Sequence, residues 1–154
     1  MKDQKESVRV KRLVRSKPKQ CYCNAARVVL AIPEYADADY VEGLAVLAKV
    51  MVIEHGWVEK DGVIIDPTLP HDELHYFPGL RFRGQRGLAE AMRIPKPERT
   101  QDDFPVFYRF GWGGIESPDF RKALIAANRY VGMEELAKRY ENCDPQFATE
   151  NLAL

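Results

Sequence analysis

Few side chains in this sequence can do covalent chemistry. The thiols are Cys21, Cys23 and Cys143, and the imidazoles are His55, His71 and His75. A thiol beside an imidazole, with a carboxylate holding that imidazole in one tautomer, is built for nucleophilic attack on an acyl carbon. The questions are which histidine has a carboxylate partner and which cysteine can reach it.

The stretch from Ile53 to Thr68 bears on the first question. Asp61-Gly62 is a two-residue hairpin signal between two runs that read as strands, Ile53–Glu59 and Val63–Thr68. With Asp61 and Gly62 at the turn, Lys60 pairs with Val63, Val58 with Ile65, Trp57 with Asp66, and His55 with Thr68. Alternation then gathers His55, Trp57, Glu59, Ile64, Asp66 and Thr68 on one face. Gly56, Val58, Lys60, Val63, Ile65 and Pro67 fall on the other. His55 and Asp66 are diagonal neighbours, about 7–8 Å apart, within reach of their side chains. Asp66 can accept from one ring nitrogen and leave the other as a base. Trp57, opposite Asp66, shields the pair from water. A three-residue loop with a bulge would shift the register and break the pairing.

For the second question, Cys21 to Ile32 predicts a helix, with Ala25, Ala26, Val29 and Ile32 on one face and Pro33 as the stop. The unpaired N–H groups and dipole at a helix N-terminus favour an anion, here the thiolate of Cys21. The same groups can hold an oxyanion. Cys23 points about 200° away around the helix, so both thiols cannot face one imidazole. A helix starting one turn later would make Cys23 the better placed thiol. Cys143, near the C-terminus, reads as a passive thiol.

The elements that must position these groups form an α+β pattern with an antiparallel sheet. Val8–Val14 is a short strand or helical turn. Tyr40–Leu47 is a strand, as is Tyr76–Arg83 within the Pro- and Gly-containing stretch from Leu69 to Gly87. Gly87–Arg93 is a short helix, Pro95 to Asp103 a surface loop, and the aromatic run Phe104–Trp112 another strand. Ser117 caps a helix that has Pro118 in its first turn and runs to about Tyr130; Met133–Tyr140 is a further helical piece.

The 154 residues, 45% hydrophobic and 30% charged, suit one domain with its own core. The expected division is a basic, solvated lead-in over 1–19, a single domain over 20–141 and a tail over 142–154. An odd cysteine count argues against a disulfide framework. The absence of a membrane-length apolar run or an apolar leader points to a cytoplasmic protein. Zero net charge gives no reason to expect nucleic acid as a partner.

Four pieces in order resemble the transglutaminase-like branch of the papain-like cysteine protease superfamily. They are Cys21-Tyr-Cys-Asn-Ala25, Tyr40-Val41-Glu42-Gly43, Glu54-His55-Gly56-Trp57-Val58 and Val63-Ile64-Ile65-Asp66-Pro67-Thr68. The resemblance covers residues 20–69. It implies a papain-like core with a catalytic helix packed on an antiparallel sheet and further helices at the C-terminus. It assigns Cys21 as nucleophile, His55 as base and Asp66 as orienter. Trp57, Asn24 and Tyr40 are expected to contact the substrate, a protein, peptide or small amide, with no cofactor and no metal. The pattern departs at Lys19, where such proteins often have Gly. Gln20 is too close to Cys21 to serve as an oxyanion donor, which leaves that role to backbone N–H groups. The implied reaction passes through a thioester, ending in hydrolysis with water or amide exchange with an amine. The competing readings are a zinc site among Cys21, Cys23, His55, His71 and His75, and a non-catalytic protein- or nucleic-acid-binding module. The aromatic residues from Tyr76 to Trp112 are expected to pack in the sheet core rather than line a groove.

Overall fold

The computed structural model describes residues 1–97 and 104–143. The loop expected up to Asp103 lies outside them from residue 98, and the tail does so from residue 144. In chain order the elements are α1 (Gln4–Leu13), α2 (Cys21–Ala31), β1 (Asp39–Leu47), β2 (Met51–Lys60), β3 (Val63–Ile65), β4 (Leu74–Arg83), α3 (Gly84–Ala91), α4 (Pro118–Tyr130) and α5 (Glu134–Glu141).

The hairpin takes the expected register. Asp61 and Gly62 both have positive φ, 51° and 76°, a turn whose twist matches that of the strands. Lys60 pairs with Val63, Glu59 with Ile64, and Val58 with Ile65. The second strand ends at Ile65 rather than Thr68. Beyond Ile65 the Asp66 carboxylate accepts from the N–H groups of Thr68 and Leu69, both at 2.9 Å. The Asp66 N–H donates to Ser7 Oγ at 3.0 Å. An aspartate turn thus replaces the ladder.

The fold is α+β. The sheet is antiparallel in the order β3-β2-β1-β4, and β1 is buried along residues 40–46. One face of the sheet is covered by helices. Ala25, Val28 and Val29 of α2 share a core with Tyr40 and Val58, joined by Leu88 and Ala91 of α3. Phe120, Ala123, Leu124 and Ala127 of α4 pack with Leu44, Val46 and Leu80. Ser117 caps α4 as expected, accepting from the Phe120 N–H.

Two expectations are corrected. Residues 1–19 are not a solvated lead-in. Asp3 caps α1, Ser7 and Val10 are fully buried, and Val10 and Val14 join the α2 core. The charged side of α1, with Lys5, Arg9 and Arg12, faces outward, as does Leu13. The N-terminal residues also pair with β3: Ile64 N–H donates to Met1 O, and Asp3 N–H to Ile64 O, each at 3.0 Å.

The aromatic run Phe104–Trp112 is not a strand. It forms 3-10 turns at Val106–Arg109 and Trp112–Gly114. The reason is Glu42, a fully buried residue of β1. Its Oε1 accepts from the Val106 N–H at 2.6 Å and the Tyr40 hydroxyl at 2.5 Å; its Oε2 accepts from the Phe107 N–H at 2.7 Å. Donors that a strand would give to a neighbouring strand go instead to one carboxylate. Gly111, Gly113 and Gly114 have positive φ and complete the turns. Phe107 does pack in the core, with its ring 4.4 Å from that of Phe120.

Burial pushes the Glu42 carboxyl up to about 7, although Tyr40, the two backbone donors and the charge of Arg109 favour ionisation. Because the folded value exceeds the ordinary 4.5, its contribution to stability is full below 4.5 and is lost as pH rises through 7. The stability difference between the wild type and Glu42→Gln should therefore shrink between those values, at up to about 1.4 kcal/mol per pH unit. Urea denaturation at a series of pH values measures this; a difference independent of pH would refute it.

Candidate active site

Asp66 is the anchor of the site. It is fully buried, and His55 is only 2% exposed. His55 Nε2 lies 2.8 Å from Asp66 Oδ2. The Tyr76 hydroxyl donates to the same oxygen at 2.9 Å, while Oδ1 takes the Thr68 and Leu69 N–H groups. Burial opposes the aspartate charge, but His55, the Leu69 N–H and Tyr76 outweigh it and hold the carboxyl below its usual value. From α1's side, the Lys2 ammonium donates to Leu69 O at 2.6 Å and Asp72 O at 2.7 Å, tying down the loop that follows Asp66.

Burial works against the proton of His55, but its bond to Asp66 and the influence of the Cys21 thiol raise its pKa to about 9. With Nε2 engaged by Asp66, Nδ1 is left for Cys21. The Trp57 ring stacks beside the imidazole, with centroids 6.3 Å apart and planes 21° from parallel.

Gly56 brings the thiol there. A Cβ on Gly56 would lie 2.8 Å from Tyr22 Cδ1 and 3.1 Å from Tyr22 Cα. Its missing side chain therefore lets the first turn of α2 rest directly on β2. Cys21 precedes Tyr22 and His55 precedes Gly56, so this contact brings the start of α2 close to the strand that carries His55. Cys21 is the first residue of α2, as expected, and no side chain caps the turn. Cys21 is partly exposed. Of the Cys21 and Cys23 thiols, that of Cys21 is the one whose influence is felt at the His55 ring. None of the three cysteines is in a disulfide.

The three residues expected to contact substrate are fully buried instead. Asn24 joins the segment before α2 to the loop after Asp66: its amide donates to Lys17 O and Thr68 Oγ1 and accepts from the Lys17 N–H. Tyr40 donates to Glu42, and Trp57 Nε1 donates to Glu59 Oε1 at 2.9 Å. Each side chain is spent on the scaffold, its polar atoms paired inside the protein. His75 packs against Tyr130, with centroids 4.6 Å apart. Among the described residues no three His, Cys, Asp or Glu side chains are grouped to hold a metal.

Ser7, Lys2, Gly56 and Tyr76 escaped sequence reasoning. Tyr76 stood in an expected strand, but its face depends on the β1–β4 register, which shifts at a bulge between Glu42 and Gly43. Ser7 and Lys2 carry no local signal, since their partners lie 59 or more residues away.

No family model, curated protein or solved structure matches the chain. Among the described residues no helix is long and apolar enough to cross a membrane. The geometry of the site is therefore the evidence for what the protein does.

The linkage of the pair has a definite sign. His55's folded pKa exceeds its ordinary 6.5, so its contribution is full below 6.5 and is lost as pH rises through about 9. Asp66's is lowered from 3.8, so its contribution is full above 3.8 and is lost as pH falls through the lowered value. NMR titration of His55 should give a pKa near 9, and Asp66→Asn should bring it to 6.5 or below. Tyr76→Phe should move it much less. An unshifted His55 in Asp66→Asn would show that the carboxylate does not hold the ring.

Proposed function

We propose that this protein is a cysteine-dependent acyl-transfer enzyme with a papain-like core of the transglutaminase-like kind. Cys21 is its nucleophile, His55 its acid and base, and Asp66 the residue that positions His55. One observation carries the reading: the helix that Cys21 opens rests its first turn on the strand of an imidazole that is held by a buried carboxylate and feels the Cys21 thiol.

A His55 pKa of about 9 keeps the ring protonated at neutral pH. It can then stand as an imidazolium beside the Cys21 thiolate. The thiolate attacks an amide carbonyl carbon, forming a C–S bond and moving the carbonyl electron pair onto oxygen. First-turn N–H groups of α2, including that of Cys21, donate hydrogen bonds to the oxyanion. The oxyanion collapses, the C–N bond breaks, and the departing amine takes the proton from His55. A thioester and a neutral imidazole remain. Water, or a second amine, gives its proton to His55 as it attacks the thioester. Collapse then releases the Cys21 thiolate and regenerates the imidazolium. Water completes hydrolysis; an amine completes amide exchange. Protein, peptide or small amide substrates suit this chemistry, and no cofactor enters it. We assign the enzyme to the cytoplasm, in keeping with three thiols outside any disulfide.

The test is alkylation of the three thiols, followed by mass spectrometry. At pH 7 Cys21 should react with iodoacetamide about tenfold or more faster than a peptide thiol. His55→Ala should abolish the excess, whereas Cys23→Ser should leave Cys21 unchanged. Gly56→Ala, which separates α2 from β2, should slow Cys21 in a chain that remains folded by circular dichroism. Cys21 labelling no faster than a peptide thiol would defeat the reading.

A further inference from the structure

Beside Tyr22, on the face of β2 opposite His55, is a cavity of about 170 Å³ lined by Glu54, Tyr108, Gly113, Ile115, Leu124 and Tyr140. Such a volume holds several water-sized groups. Its lining is divided by chemistry. Ile115 and Leu124 are buried and apolar, while Glu54 and the Tyr108 ring are exposed and Tyr140 is half-buried. Among the described residues none forms a hydrogen bond or ion pair with the Glu54 side chain. Although the residue is exposed overall, the cavity partly desolvates its carboxylate and raises its pKa above the usual value. The electrostatic surroundings of Tyr22 include Cys21 together with Glu54 and Tyr108 of the cavity lining, which puts the cavity in the neighbourhood of the thiol.

The ligand chemistry follows from the lining. An apolar floor accepts methylene groups, and a carboxylate flanked by aromatic rings accepts a cation through charge and ring quadrupole. We infer that this cavity is a substrate-recognition subsite for an aliphatic chain ending in a primary ammonium, bound as the feature recognised and not as the group that reacts. The inference rests on the acyl-transfer reading for its link to Cys21. Glu42 has a part in it, because the turns it pins supply Tyr108, Gly113 and Ile115.

The experiment separates the two ideas. Pentylammonium and pentanoate are titrated into the wild-type chain and observed by amide NMR. Pentylammonium should shift the amides of Glu54, Gly113, Ile115 and Leu124 saturably, and pentanoate should not. Glu54→Gln, an isosteric change at an exposed position, should weaken amine binding about fivefold or more. Equal binding of the two probes, no saturable shift, or an unchanged affinity in Glu54→Gln would overturn the subsite. Alkylation of Cys21 is compared using chloroacetamides with an ammonium or a carboxylate tail. A faster reaction with the cationic reagent, lost in Glu54→Gln, supports the link to the thiol. Amine binding in a chain whose Cys21 is no more reactive than a peptide thiol would keep the cavity's ligand and overturn the acyl-transfer reading.

Discussion

The carboxylate of Asp66 is the point on which the other arrangements depend. A buried anion is costly unless its lone pairs are filled, and here four donors fill them: His55, Tyr76 and the N–H groups of Thr68 and Leu69. That demand ends β3, turns the chain toward β4 and fixes the plane of the imidazole. It also recruits the N-terminus. Ser7 accepts the Asp66 N–H, and Lys2 holds the loop carbonyls. Helix α1 is thus part of the site's frame, although none of its residues touches the thiol.

Glu42 is a second buried carboxylate with a different fate. It accepts three hydrogen bonds, yet burial dominates and its pKa rises, whereas that of Asp66 falls. The difference lies in the partners. Asp66 faces an imidazole that can carry a full charge, but Glu42 faces mainly dipoles, with the Arg109 charge the weakest of its influences. One carboxylate therefore holds a proton-handling group, and the other holds a segment of chain. That segment walls the cavity beside Tyr22, so a strand residue with no part in the proposed chemistry still shapes what can bind next to it.

Much of the local structure was legible in the residues. Asp61-Gly62 demands positive φ at both positions, and this alone set the hairpin register that makes His55 and Asp66 neighbours. Pro33, Ser117 and Pro118 marked helix ends because their constraints act within one turn. The run Phe104–Trp112 misled, since aromatic content favours a strand while a distant carboxylate claimed the backbone donors. Trp57, Asn24 and Tyr40 misled in another way. Residue type cannot tell a polar group facing solvent from one satisfied inside.

The sequence by itself determined the pairing of an imidazole with a carboxylate and the helix that Cys21 opens, because both follow from contacts within a turn or a hairpin. Only the tertiary structure decided how closely the first turn of α2 approaches the strand of that imidazole. The deciding contact joins Tyr22 to Gly56 across the α2–β2 interface, where the space left by a missing side chain sets how closely two elements approach. No spacing along the chain encodes that distance.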